Sequence, residues 1–187
     1  MSDVLLPAVE DAGEVGQREG ELRAARRQNL AALVENGADP FHVTRYDVTA
    51  HAAQLASSYA DLTADTDRPP SERVGVAGRL MALRKQGKKV FFADLWDRTG
   101  KLQLYVRQDV VGDATFERFD MLDLGDIVGA RGTLFRTKSG ELTLRVESLE
   151  VLTKALVPLP DKHHGLQDVE KRYRQRYVDL IVNEHVR

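Results

Sequence analysis

Residues 90–107 read Val90-Phe91-Phe92-Ala93-Asp94-Leu95-Trp96-Asp97-Arg98-Thr99-Gly100-Lys101-Leu102-Gln103-Leu104-Tyr105-Val106-Arg107. On both sides of Asp97-Arg98-Thr99-Gly100, core-type residues recur at every second position. That is the period of a strand with one buried face. The tetrad between them has the composition of a tight hairpin turn. Val90 to Trp96 and Leu102 to Arg107 are therefore expected to form consecutive antiparallel strands. Parity then sorts the side chains. Leu102, Leu104 and Val106 must face a core, which leaves Gln103, Tyr105 and Arg107 outward. Phe91, Ala93 and Leu95 are the better core set on the preceding strand, which turns Phe92, Asp94 and Trp96 outward.

The same period extends in both directions. Val74 to Leu83 reads as a strand, followed by a turn at Gln86-Gly87-Lys88-Lys89. Beyond Arg107, Asp113 to Leu124 reads as a short helix with Phe116, Phe119 and Leu122 on one side, closed by Gly125. Ile127 to Arg136 returns to strand, with Gly129 and Gly132 suggesting a bend or bulge. Thr137-Lys138-Ser139-Gly140 turns the chain into a last strand, Leu142 to Leu152. There Leu142, Leu144 and Val146 point inward and Glu141, Thr143 and Arg145 outward. Three strands in a meander, a helix and a two-stranded hairpin follow the plan of the five-stranded OB-fold barrel, β-β-β-α-β-β. An SH3-like barrel has no place for a helix after its third strand. The expected class is mostly β, with flanking helices, and the barrel spans 73–153.

The flanks differ in character. Residues 1–17 are polar and acidic without apolar periodicity and read as a disordered tail. Residues 18–72 read as a helical extension and linker. Arg18 to Asn36 is an amphipathic helix stopped by Gly37 and Pro40. Thr49 is the expected N-cap of a second helix reaching about Tyr59, and Thr63 to Glu72 is a linker. Residues 154–187 begin with a proline-stiffened linker and continue into an amphipathic helix, Val169 to Val182. Its apolar Tyr173, Tyr177, Leu180 and Ile181 have no remaining core to join.

Composition narrows the function classes. The chain has 187 residues, 42% of them hydrophobic and 30% charged, with no cysteine. Disulfides, thiolate metal sites and a cysteine nucleophile are excluded. No apolar run approaches the roughly 20 residues needed to span a bilayer. Met1 to Leu22 lacks the basic start and apolar centre of a secretory leader, so a cytoplasmic location and no membrane partner are expected. Net charge is only -2, yet the charge is blocked. Arg73, Arg79, Arg84, Lys85, Lys88, Lys89, Arg98, Lys101 and Arg107 face only Asp94 and Asp97 over residues 73–108. Asp109, Asp113, Glu117, Asp120, Asp123 and Asp126 then face only Arg118. Such asymmetry creates a local positive field suited to nucleic acid, or simply a solvated basic face.

Chemistry-bearing motifs are missing. Neither phosphate-loop pattern, no G-x-S-x-G elbow and no H-E-x-x-H helix occurs. His163-His164, with Asp168 beyond, lies in a linker where adjacent side chains diverge, so no metal site is expected. The residues describe a binding module rather than a catalyst. An outward aromatic flanked by outward amides and charges suits single-stranded nucleic acid, because bases stack on exposed rings and Gln, Glu and Arg can read edges or hold phosphate. A lone carboxylate such as Glu141 repels phosphate, so on such a face it makes sense as a base reader; otherwise it is a solvated hairpin residue.

Several strings now combine: Val76-Ala77-Gly78-Arg79; Thr137-Lys138-Ser139-Gly140-Glu141-Leu142; Leu152 to Lys162 with its two prolines; His164 to Glu170; and Arg172-Tyr173-Arg174-Gln175-Arg176-Tyr177-Val178-Asp179-Leu180. Together with Gly37-Ala38-Asp39-Pro40-Phe41 they closely resemble bacterial class II lysyl-tRNA synthetases, over about residues 20 to 187. The resemblance implies an anticodon-binding barrel and a hinge into a catalytic domain that would begin just after Arg187. It implies that Phe92, with Phe91 as its nearest rival, stacks on an anticodon base. It implies that Gln103 reads a neighbouring uridine, that Glu141 contacts the anticodon, and that Arg84 joins them from the end of the first strand. The full-length family enzyme uses ATP and Mg2+ to activate lysine, charges tRNA(Lys) and is a homodimer. This chain alone is expected to bind the tRNA(Lys) anticodon stem-loop without charging it, with no cofactor of its own. The alternatives are a free-standing OB-fold RNA-binding module and a dimer-interaction module.

Overall fold

The computed structural model describes residues 12–64, 72–160, 169–183 and 186. Its centre is a closed barrel of five antiparallel and parallel strands: β1 (Val74–Gln86), β2 (Val90–Trp96), β3 (Lys101–Arg107), β4 (Ile127–Arg136) and β5 (Leu142–Thr153). The order around the barrel is β1-β2-β3-β5-β4. β1 serves two neighbours. Its first half, Val74 to Arg79, pairs with β4, and from Arg79 onward it pairs with β2 past a register shift between Leu80 and Ala82. The parallel β3–β5 pairing closes the ring. Closure leaves no open edge to recruit another strand.

The alternating pattern of residues 90–107 is realised as expected. Phe91, Ala93, Leu95, Leu102, Leu104 and Val106 are all buried. Val76, Leu80, Val128, Ala130, Leu134, Leu144 and Val146 complete the barrel interior. The expected helix after the third strand is two helices, α3 (Gln108–Val111) and α4 (Asp113–Asp120), joined by Gly112 at φ 81°. Phe116, Phe119 and Leu122 are buried, and the Phe91 ring lies 4.9 Å from Phe116 and 5.1 Å from Phe119. Together these rings form an aromatic plug within the core. Gly132 does mark a bulge: the β4–β5 register shifts between Arg131 and Gly132. A Cβ on Gly132 would lie 1.9 Å from the Arg145 carbonyl oxygen. Gly129 has a different reason, since a Cβ there would meet the Tyr46 ring at 2.4 Å.

The flanks depart from expectation in four places. The first helix, α1, runs Ala12–Glu35, so residues 12–17 are helical rather than part of a disordered tail. Extending an existing helix costs far less than nucleating one, and this segment needs no apolar stripe to be carried along. Gly37, at φ 67°, ends α1 as expected. Thr49 does not cap the second helix. α2 (Ala52–Ser58) starts at His51, and its first amides are received by the β2–β3 turn. Asp97 Oδ2 accepts Ala52 N–H at 2.8 Å and Thr99 Oγ1 accepts Ala53 N–H at 3.0 Å. Thr49 instead bonds β1, its Oγ1 accepting Gly75 N–H at 2.8 Å.

The C-terminal helix is broken at Gln175 into α5 (Val169–Arg174) and α6 (Arg176–Val182). The break brings Arg172 Nε to 2.9 Å from Asp179 Oδ1, residues that two turns of straight helix would hold about 10 Å apart along the axis. Lys154, which opens the expected proline-stiffened linker, is packed away at 3% exposure. Residues 65–71 of the expected linker lie outside the described residues, as do His163, His164 and Asp168.

Candidate nucleic-acid interface

Strand register lays the outward side chains of the barrel into two continuous rows. The first runs Arg84, Phe92, Tyr105, Arg145, Thr133, one residue from each strand. The second runs Ala82, Asp94, Gln103, Thr143, Phe135. The four residues expected to bind RNA, Arg84, Phe92, Gln103 and Glu141, all lie on this face.

Phe92 is half-buried and sits 4.9 Å from the Tyr105 ring, tilted by 38°. Tyr105 in turn meets Phe135 edge-on at 5.6 Å, and the Arg145 guanidinium stacks 5.1 Å over the Phe135 ring. The face therefore carries a run of three rings rather than one. Phe91, the rival to Phe92, is 6% exposed and belongs to the plug.

Two ion pairs lie on the face. Arg84 Nη2 lies 3.0 Å from Asp94 Oδ1, and Lys101 Nζ lies 3.0 Å from Glu141 Oε1. Glu141 is thus not the lone carboxylate its sequence context suggested; β3 supplies its counter-ion, which reduces its repulsion of phosphate. The acidic block of residues 109–127 is also largely spent on partners. Lys85 holds Asp120 at 2.7 Å, Arg107 pairs with Asp109, and Lys154 reaches both Asp123 and Asp126. Basic side chains of β1, β3 and the segment after β5 therefore meet four of the block's six acids, Asp109, Asp120, Asp123 and Asp126.

Thr143 points to this outer face as parity requires, yet it is 0% exposed. Its neighbours Gln103 and Phe135 cover it. Residue parity had already turned Tyr105 and Arg145 outward, and their place in the site follows from their adjacency to Phe92 and Phe135. Phe135 and Lys101 enter the site through register. The available signal for Phe135 was its alternation with buried Leu134.

The platform is anchored at the hairpin. Asp97 Oδ1 accepts the Thr99 N–H and hydroxyl at 2.7 Å each and the Gly100 N–H at 2.9 Å. Burial alone would raise the Asp97 pKa, but these bonds and the one from Ala52 outweigh it and hold the carboxylate below its ordinary range. Among the described residues no group of three or more His, Asp or Glu is placed to hold a metal ion. None of the described helices is long and apolar enough to cross a membrane.

Residues 74–152 match the family model of an OB-fold nucleic acid binding domain. Over 85% of its length the chain is 48% identical to a lysine--tRNA ligase of Lysinibacillus sphaericus, covering 31% of that protein. It is 49% identical to the lysine--tRNA ligase of Bacillus subtilis over 84% of the chain and 31% of the relative. A lysine--tRNA ligase of Thioalkalivibrio sulfidiphilus is 47% identical over 93% of the chain and 34% of its own length. The chain thus spans about a third of the length of the curated relatives it matches. The closed barrel and the domain model together place residues 74–152 among OB-fold nucleic acid binding domains, and the chain is similar to about a third of the length of these lysine--tRNA ligases.

Proposed function

We propose that this chain recognises the anticodon stem-loop of tRNA(Lys) on the outer face of its barrel. The observation that carries the reading is the pair of side-chain rows crossing all five strands, with Phe92, Tyr105 and Phe135 as the stacking surface. Unpaired bases lie across the rings, each stack contributing about 1–3 kcal/mol. Gln103 and Glu141 read base edges. Arg84, aimed by Asp94, holds a phosphate or base beside Phe92. Lysine--tRNA ligase activity, with its lysine, ATP and Mg2+, and assembly as a homodimer belong to the same proposal only at the level of a whole ligase. The 187 residues here supply RNA recognition.

The test is a titration of the chain with a stem-loop carrying the lysine anticodon, read by fluorescence anisotropy at several salt concentrations. Binding is expected to weaken as salt rises and to exceed binding to a stem-loop with a non-lysine anticodon. Equal affinity for both loops defeats the proposal. ATP–pyrophosphate exchange by this chain is expected to be undetectable.

A further inference from the structure

Thr143 is the one fully buried polar side chain on the platform, lying between Gln103 of β3 and Phe135 of β4. A hydroxyl in that position needs a partner. Its Oγ1 lies 3.0 Å from Gln103 Oε1 and 3.2 Å from the Glu141 main-chain oxygen. A hydroxyl has one proton to give. The Glu141 carbonyl already accepts the Thr137 main-chain N–H at 3.0 Å and the Thr137 hydroxyl at 3.3 Å, which occupies its two lone pairs, so the Thr143 proton goes to Gln103 along the shorter contact. An amide whose oxygen is held down against the sheet turns its NH2 group outward, toward whatever lies on the platform.

We infer that Thr143 is a positioning residue that locks the Gln103 amide as a donor and so selects uracil over cytosine at one position of the bound loop. The inference rests on the RNA-recognition reading above. Uracil presents its O4 acceptor where cytosine presents the N4 amino donor. A donor facing a donor leaves both unpaired in a partly desolvated contact, which disfavours cytosine. Without the Thr143 hydroxyl the amide is free to turn about its last torsion, which is broad and roughly two-fold. It can then offer its oxygen to the cytosine amino group, and the preference weakens.

The experiment uses the full chain, a stem-loop with a UUU anticodon and the single uridine-to-cytidine variants of that loop, with Kd values measured at one salt concentration. Gln103→Ala identifies the position Gln103 reads, as the one where the unaltered chain prefers uridine and the variant does not. At that position Thr143→Val is expected to lower the uridine-over-cytidine ratio by about five- to tenfold, and Thr143→Ser to retain it. Thermal melts check that each variant folds. A folded Thr143→Val protein with an undiminished ratio overturns the inference. So does a folded Thr143→Ser protein that loses the ratio, which keeps the idea testable should the valine variant unfold. Failure of the underlying reading is seen separately, in the unaltered chain, as binding that is blind to every anticodon substitution.

Discussion

Phe91 and Phe92 are adjacent and chemically identical, and the pleat sends them to opposite fates. Phe91 packs at 4.9 Å and 5.1 Å against the rings of Phe116 and Phe119, whereas Phe92 rests half-buried on Tyr105. Truncating each to alanine therefore separates stability from binding. Phe92→Ala is expected to cost about 1–3 kcal/mol of stem-loop affinity while leaving the denaturation midpoint nearly in place. Phe91→Ala is expected to cost about 3–5 kcal/mol of folding stability. Urea titrations and anisotropy on both variants check this, and a Phe92→Ala protein that unfolds would mean its ring is structural. The same logic of neighbours applies to Glu141, whose carboxylate is read correctly only with Lys101 beside it.

At the scale of elements, the β2–β3 turn does two tasks with one side chain. Asp97 closes its own hairpin through Thr99 and Gly100 and caps α2 through Ala52. Replacing it with alanine orphans several amides, an expected loss of about 1–3 kcal/mol. The sign of the pH effect follows from its depressed pKa. The stabilisation is complete above the unfolded carboxylate value of about 3.9 and is lost as pH falls through the lower folded value. Thermal melts of Asp97→Asn between neutral and strongly acid pH are expected to show a shallower acid loss than the unaltered chain. An identical acid slope would remove Asp97 from that account. Position 132 shows the complementary constraint: where β5 carries an extra residue between Val146 and Ser148, only glycine on the facing strand β4 lies against the Arg145 carbonyl without a clash.

Across the whole molecule, a polar clasp ties α1, the loop before β4 and the segment leaving β5. Arg26 donates to Ala155 O at 2.7 Å and to Leu124 O at 3.0 Å. Lys154 bridges Asp123 and Asp126, the latter at 2.7 Å, and Asn29 donates to Asp123 at 3.1 Å. Asp126 Oδ1 also accepts the Ala155 N–H at 2.7 Å. The clasp fixes the direction in which the chain leaves the barrel. Lys154→Met removes the only charge in the clasp that reaches both carboxylates and leaves them uncompensated, Asp126 at 0% exposure. The expected destabilisation is about 3–5 kcal/mol, measured by urea unfolding. A loss below about 1 kcal/mol would place this cluster with ordinary surface pairs.

The barrel was legible in the amino-acid order because its signal is local. Alternation in residues 90–107, the turn tetrad and the helix between the third and fourth strands each depend on near neighbours, and together they specify one topology. That locality also turned Phe92, Gln103 and Glu141 to one face. Other features depended on pairings between distant segments, which no single window displays. The Asp97 cap on α2 spans 45 residues and the Lys154–Asp126 pair 28. Thr143 is buried only because β3 and β4 flank it with Gln103 and Phe135, and Glu141 is neutralised only because β3 brings Lys101 across. Periodicity decides which way a side chain points; what covers it and what balances its charge are decided by the closing of the sheet.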